Sequence, residues 1–540
     1  MARGLVAIAA VLAWWAGGPS AGEGGEVAVG LRPAFEGLFR PGCPVWLWVT
    51  VANDGEAFEG LLDVVVDGVA YRRPLRVGAG AKGFTDAVVV ARSEAARGRV
   101  VLRSRDGRVA YEVTTGLGLR RRAAEPPLVV AAGAGRWAGE WLFGACEAAV
   151  GAEELPTQAA GYAAADAVGV EGDGAALPEA TRAALGNWVR GGAMLGFLLD
   201  AGSPVGSGSL LAELGGCAGR ATAREWLAAV RARQGAAGDE GTAVWRLGLG
   251  TVAAATREGS APGVFAGRLP AVGTGDRWAD AGLYMAFEGA RWTTGLRWRL
   301  VGGAAVLLAA GVLAARLGLR TRRRWAGTAA TVGLAGLLTA VAWWVMLPSG
   351  RGWLETACVA ERVAGRRGER WTEVVCLEAL GRTRVRLDFG VAEAVVPFYY
   401  SADTAGSGDG AVVERDASGR WAVECGLTGR SRRSFGVVWP WRETAEPEGG
   451  VQQGDVLVRG PRFALAVEGG AVPAEGWRPL DELPLGGAAD RALAAWLGRR
   501  AGAGALFRVR AEPLASSAAA GARILEQRGL AGQVWARVDD

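Results

Sequence analysis

The chain has no histidine in its 540 residues. Ser-His-Asp and Cys-His catalysis, histidine metal ligation and histidine-based pH switching are therefore excluded. Lys82 is the sole lysine, so a serine–lysine dyad could be built only around the first β-rich region. None of the six cysteines, Cys43, Cys146, Cys217, Cys358, Cys376 and Cys425, belongs to a CxxC pair, which speaks against a metal site. A basic stripe is also missing. The cations are nearly all arginine, and 55 acidic residues are spread among them. Nucleic acid is not an expected partner.

Phosphate-loop signals fail on inspection. Gly78 to Gly83 has glycine spacing of that general kind but no Gly-Lys-Ser/Thr ending and no helix after it. It reads as a hairpin turn. Gly248 and Gly250 form only a lone GxG. No catalytic, cofactor-binding or metal-binding residue is singled out, and no cofactor is expected.

Half the residues are hydrophobic, enough for several cores, and the length suggests about three or four domains. Residues 1–21 have the pattern of a secretory signal peptide: Arg3, an apolar run from Leu5 to Ala16, then small residues to Ala21. Residues 24–118 carry short strand-like runs separated by turn signals such as Asn53-Asp54-Gly55, Asp67-Gly68 and Asp106-Gly107. They predict an immunoglobulin-like β-sandwich.

Across 127–288, apolar runs alternate with helical patterns. Leu128 onward, Asp166–Val170 and Ala193–Leu199 read as buried strands, Glu140–Val150 and Leu177–Arg190 as helices, and Trp245–Ala255 as a strand with a glycine bend. That alternation predicts a parallel sheet with covered faces. Residues 300–347 read as two transmembrane helices joined by an arginine-rich cytoplasmic turn containing Arg316, Arg320, Arg322, Arg323 and Arg324. Small residues at Gly327, Ala330, Gly333, Gly336 and Ala340 would let the second helix pack closely on the first or on a partner. Residues 350–540 read as a β-rich extracytoplasmic domain, with C-terminal helices over 486–502 and 518–528.

The run from Glu153 to Asp200 resembles the class I glutamine amidotransferase-like (flavodoxin-like) domain of mostly uncharacterised bacterial envelope membrane proteins. The matching positions are Leu155, Pro156, Tyr162, Asp166, Trp188, Val189, Gly191 and Gly192. The resemblance implies a degenerate domain. The strand ending at Leu199 is followed by Asp200-Ala-Gly-Ser203, with neither the cysteine of a nucleophile elbow nor a histidine elsewhere. The expected fold class is thus multidomain: an all-β sandwich, an α/β flavodoxin-like parallel sheet, a two-helix transmembrane hairpin and a second β-rich domain.

Function follows as an expectation. The chain would be a non-enzymatic protein anchored in the bacterial inner membrane, with large domains outside. It would bind or scaffold envelope proteins or glycan, in contact with the lipid bilayer. One alternative is an extracytoplasmic hydrolase working through carboxylates, with Asp166, Asp200, Asp239 and Glu240 as the nearest candidates. Another is an accessory subunit of an export or transport complex. Cys146–Cys217, and two of Cys358, Cys376 and Cys425, could form disulfides in such a location; six buried thiols is the competing reading. A catalytic thiolate at Cys146 or Cys217 would need a nearby cation or a helix N-terminus.

Overall fold

The computed structural model describes residues 27–121, 128–133, 146–217, 222–257, 351–363, 368–379, 383–398, 410–427 and 432–443. It also describes five short strands between 455 and 529 and four helical positions, Val312, Arg316, Gly333 and Gly336. The expected signal peptide, the helix over 486–502 and the remainder of 300–347 lie outside the described residues.

The first segment carries β1 (Val27–Pro33), β2 (Leu38–Phe39), β3 (Pro44–Asn53), β4 (Phe58–Val66), β5 (Val69–Val77), β6 (Ala81–Val90), β7 (Arg97–Ser104), β8 (Val109–Gly116) and β9 (Arg120–Arg121). Strand β3 shows why these runs extend. Leu47, Val49 and Val51 are buried, whereas the alternate positions Trp48, Thr50 and Ala52 are half-buried. Such period-2 patterning suits only a pleated strand. Strands β1, β3 and β6 form one antiparallel sheet, and β5, β4, β7 and β8 lie together in another. Asp67 (φ 48°) and Gly68 (φ 81°) close the β4–β5 hairpin, a turn in which both central residues need positive φ. Asp106 and Gly107 lie in the β7–β8 hairpin. Asn53-Asp54-Gly55, expected as another hairpin, instead carries the chain from one sheet to the other, because β3 pairs with β1 and β6 and not with β4.

The middle segment holds β10 (Leu128–Ala132), β11 (Cys146–Val150), β12 (Ala167–Glu171), β13 (Met194–Leu199), β14 (Thr242–Leu247) and β15 (Gly250–Thr256). Their order in the sheet is β11-β10-β12-β13-β15-β14. All neighbours are parallel except the β14–β15 pair. Every residue of β10, β13 and β15 is buried, as expected for strands covered on both faces. Alternation divides them between two cores: Val130, Leu195 and Phe197 join one, Val129, Met194 and Leu198 the other. Helices α1 (Glu179–Arg190), α2 (Leu210–Gly215) and α3 (Ala223–Gln234) accompany this sheet. Helix α3 begins with a Thr222/Glu225 capping box and stops at Gly235, whose φ of 58° favours glycine.

The last segment holds β16 (Arg351–Val363), β17 (Arg370–Ala379), β18 (Thr383–Gly390), β19 (Ala394–Phe398), β20 (Ala411–Arg415), β21 (Trp421–Leu427), β22 (Arg432–Val438), β23 (Asp455–Arg459), β24 (Arg462–Ala464), β25 (Trp477–Pro479), β26 (Ala505–Arg510) and β27 (Arg523–Gly529). Strands β18, β21 and β20 extend the sheet begun by the first segment, giving the order β18-β21-β20-β5-β4-β7-β8. The junction is parallel: Val412, Val413 and Glu414 pair with Ala70, Tyr71 and Arg72. The other C-terminal strands form a nine-stranded sheet. One hydrophobic core runs from Val29 through Trp188 to Trp439.

The expected fold class is corrected on several points. The described chain is mostly β-sheet, with three α-helices. A doubly wound flavodoxin-like class needs helical crossovers, but β11 reaches β12 through two 3-10 turns, Ala152–Glu154 and Ala159–Tyr162. Cys146–Val150, expected within a helix, is a strand. The helix expected near 518–528 is strand β27, drawn into parallel pairing with β16. The strand expected over Trp245–Ala255 is the β14–β15 hairpin, turned at Gly248 (φ 59°).

The membrane expectation is corrected as well. No helix among the described residues is long and apolar enough to cross a membrane. A span needs about 20 apolar residues, whereas α1 and α3 have 12 each and bury only one face. The transmembrane hairpin at 300–347 and the inner-membrane location therefore have no support.

Candidate functional site

The residues that carry the amidotransferase-like resemblance are structural. Tyr162 is fully enclosed, with its ring 5.4 Å from that of Trp188 and 6.0 Å from that of Phe35. Its hydroxyl donates to the Pro156 carbonyl at 2.8 Å, and burial holds its pKa well above the usual tyrosine value. Asp166 is 3% exposed. It accepts the Leu128 backbone N–H at 2.8 Å and the Arg40 guanidinium at 2.6 Å, tying the middle sheet to the first segment. Gly191 caps the C-terminus of α1, and Arg370 donates to its carbonyl at 2.7 Å.

Asp239 and Asp200 are also engaged. Asp239 accepts the Thr242 hydroxyl at 2.7 Å. Glu240 is exposed in the same turn. Asp200 lies just beyond β13, 67% exposed, with Arg257 Nε at 3.0 Å. The same guanidinium pairs with Glu171 at the end of β12. Glu171 was not among the sequence candidates. Its position at the carboxyl end of a parallel strand was the available signal. Cys217 is half-buried and Cys425 is buried; both are free thiols, so the Cys146–Cys217 bridge does not form. Burial pushes the Cys425 thiol up to about 12. No cluster of three or more possible metal ligands occurs among the described residues.

A different place gathers unused polar groups. A narrow cleft of about 10 Å³, room for about one water molecule, is lined by Tyr71, Arg73, Val88, Gln158, Arg415 and Trp421, among others. Three chain segments meet there. Tyr71 and Arg73 come from β5, Gln158 from the turns after β11, and Arg415 and Trp421 from β20 and β21. The β20–β5 pairing makes the cleft, because it sets Val413 against Tyr71.

The charges there are unevenly matched. Asp63 holds Arg72 through two bonds of 2.7 and 2.9 Å. Asp86 pairs with Arg73 and also accepts Gln158 Nε2 at 2.7 Å. The Arg415 side chain is half-buried, and the Asp86 and Asp416 carboxylates favour its charge without pairing closely with it. Its guanidinium carbon lies 5.6 Å from the Trp421 ring centre, across a cross-strand pair. Burial, then the adjacent Arg73 charge, push the Arg415 pKa down to about 10, where it stays cationic at neutral pH. Three lining atoms are enclosed without a hydrogen-bond partner: Arg415 Nε, Trp421 Nε1 and Gln158 Oε1. Each such atom costs about 1–3 kcal/mol. No local pattern announces this cleft, since its contributors span residues 71 to 421.

Comparison with known proteins adds no assignment. No family model matches the chain, and no curated protein matches it. Among solved structures, a Paenibacillus sp. cycloisomaltooligosaccharide glucanotransferase complexed with cycloisomaltoheptaose shows a TM-score of 0.16 at 9% identity, covering 76% of this chain and 70% of that one. A likeness of that degree carries no argument about fold or chemistry.

Proposed function

We propose that the chain is a non-catalytic binding or scaffolding protein whose partners are protein or glycan. The observation that carries this reading is the state of the acidic groups around the parallel sheet. Asp166 spends its oxygens on Leu128 and Arg40. Asp173 accepts the Ala175 and Gly206 backbone N–H groups. Glu171 and Asp200 share Arg257. General acid–base work needs a carboxyl group within reach of substrate and not held in a structural tie.

One feature favours the hydrolase alternative: Glu171 and Asp200 do converge at the carboxyl ends of adjacent strands. A single experiment separates the two readings. The purified chain, with Glu171→Gln and Asp200→Asn variants, is incubated with chromogenic glycosides and esters from pH 4 to 9. The binding reading expects no turnover above the blank. Hydrolysis that either substitution abolishes would establish the enzyme instead.

A further inference from the structure

We propose that the contact between the end of α1 and Arg370 of β17 is a pH-released latch, closed in acid and opened in mildly alkaline solution by ionisation of Glu393. This goes beyond the binding reading above and does not depend on it.

The latch joins segments far apart in the chain. Arg370 Nη1 donates to the Gly191 carbonyl at 2.7 Å, across 179 residues. Gly191 is the C-cap of α1, and a cation is favoured beside the last carbonyls of a helix. The backbone there lies close against the guanidinium, since a Cβ on Gly191 would collide with Arg370 Nη1 and Cζ. Arg370 Nη2 donates to Glu393 Oε2 at 3.1 Å. One guanidinium thus serves both the helix end and the carboxyl group. Both side chains are nearly closed to water, at 3% exposure for Arg370 and 6% for Glu393.

Glu393 is the group that titrates. Its Oε1 is enclosed without a hydrogen-bond partner. As a carboxylate it holds a charged oxygen away from water, at a far larger cost than the neutral acid carries. The elements around it offer one charge, that of Arg370 from β17. Strand β22 supplies the Val438 carbonyl, which accepts the Glu393 backbone N–H at 2.7 Å. Helix α1 supplies the Gly191 carbonyl, already bonded to Arg370. Burial outweighs Arg370 and lifts the Glu393 pKa from 4.5 to about 7. In an open form, where water reaches the carboxyl group, the ordinary value returns. Closure therefore takes up a proton. It is fully favoured below pH 4.5 and weakens as pH rises through about 7.

The test is hydrogen exchange read by mass spectrometry on the full chain at pH 5.5 and pH 8, corrected for the intrinsic pH dependence of exchange. Amides of residues 187–192 and 369–373 should exchange ahead of the most protected amides of β3. Their protection should fall about tenfold or more from pH 5.5 to pH 8. In Glu393→Gln, isosteric and neutral at both pH values, that fall should vanish. Wild-type protection that is equal at both pH values, or a fall that persists undiminished in Glu393→Gln, removes Glu393 from the device and overturns the proposal. Exchange of these amides only together with those of β3 overturns it as well, because the contact would then open only when the whole chain unfolds.

Discussion

Glu393 is expected to make the folded chain lose stability as pH rises from acid to neutral. Its side chain is 6% exposed and meets Arg370, itself 3% exposed, through one bond of 3.1 Å. The other carboxylate oxygen is enclosed with no hydrogen-bond partner. Burial raises the Glu393 pKa from 4.5 to about 7, and Arg370 offsets only part of that rise. Arg370 is the charged neighbour that opposes the rise. The folded state therefore binds this proton more tightly than the unfolded state. Its contribution is complete below pH 4.5 and is lost as pH rises through about 7. The separation corresponds to about 3 kcal/mol. Glu393→Gln mimics the protonated form at every pH. Urea unfolding of both chains between pH 4 and pH 8 should show their stability difference moving by about 3 kcal/mol in favour of the variant at the alkaline end. A difference that stays constant over that range would refute the reasoning, because it would mean that Glu393 titrates alike in both states.

Asp166→Ala should cost about 3–5 kcal/mol, since it leaves the mostly buried Arg40 guanidinium and the Leu128 N–H without the acceptor they share; chemical denaturation measures it. Gly161→Ala should cost about 1–3 kcal/mol, because its Cβ would meet Pro156 and stand 3.0 Å from the Trp46 ring; a lowered melting temperature reports it. In native protein, iodoacetamide should modify half-buried Cys217 before buried Cys425, whose thiol lies near 12. Mass spectrometry of the peptides gives the order, and early Cys425 labelling would contradict its burial.

What the sequence shows depends on how local the determining forces are. The helix expected over Leu177–Arg190 forms as Glu179–Arg190, because Ala184, Leu185, Trp188 and Val189 recur on one face and Gly191 follows. Asp67-Gly68 announces its hairpin for an equally local reason: only such residues accept positive φ at both turn positions. Errors begin where partners distant in the chain decide. Cys146–Val150 follows an apolar, alanine-rich run with helical propensity, yet it is a strand because β10 offers a parallel edge to it. Arg523–Gly529 is a strand because of β16, more than 150 residues earlier. The two apolar runs at 300–347 satisfied a composition rule for membrane helices, but no described helix has the continuous apolar length the rule requires.

The cleft is the extreme case of such long-range determination. None of Arg73, Gln158, Arg415 and Trp421 belongs to a motif, and each has an ordinary structural use when read alone. Arg73 would be a surface cation, Gln158 a loop amide, and Arg415 with Trp421 a stabilising cross-strand pair. Only the parallel pairing of β20 with β5 brings these residues to line a common space. That pairing joins chain segments more than 300 residues apart, so it cannot be a by-product of local hairpin folding. A cleft that exists only when the first and last segments share one sheet reports their association.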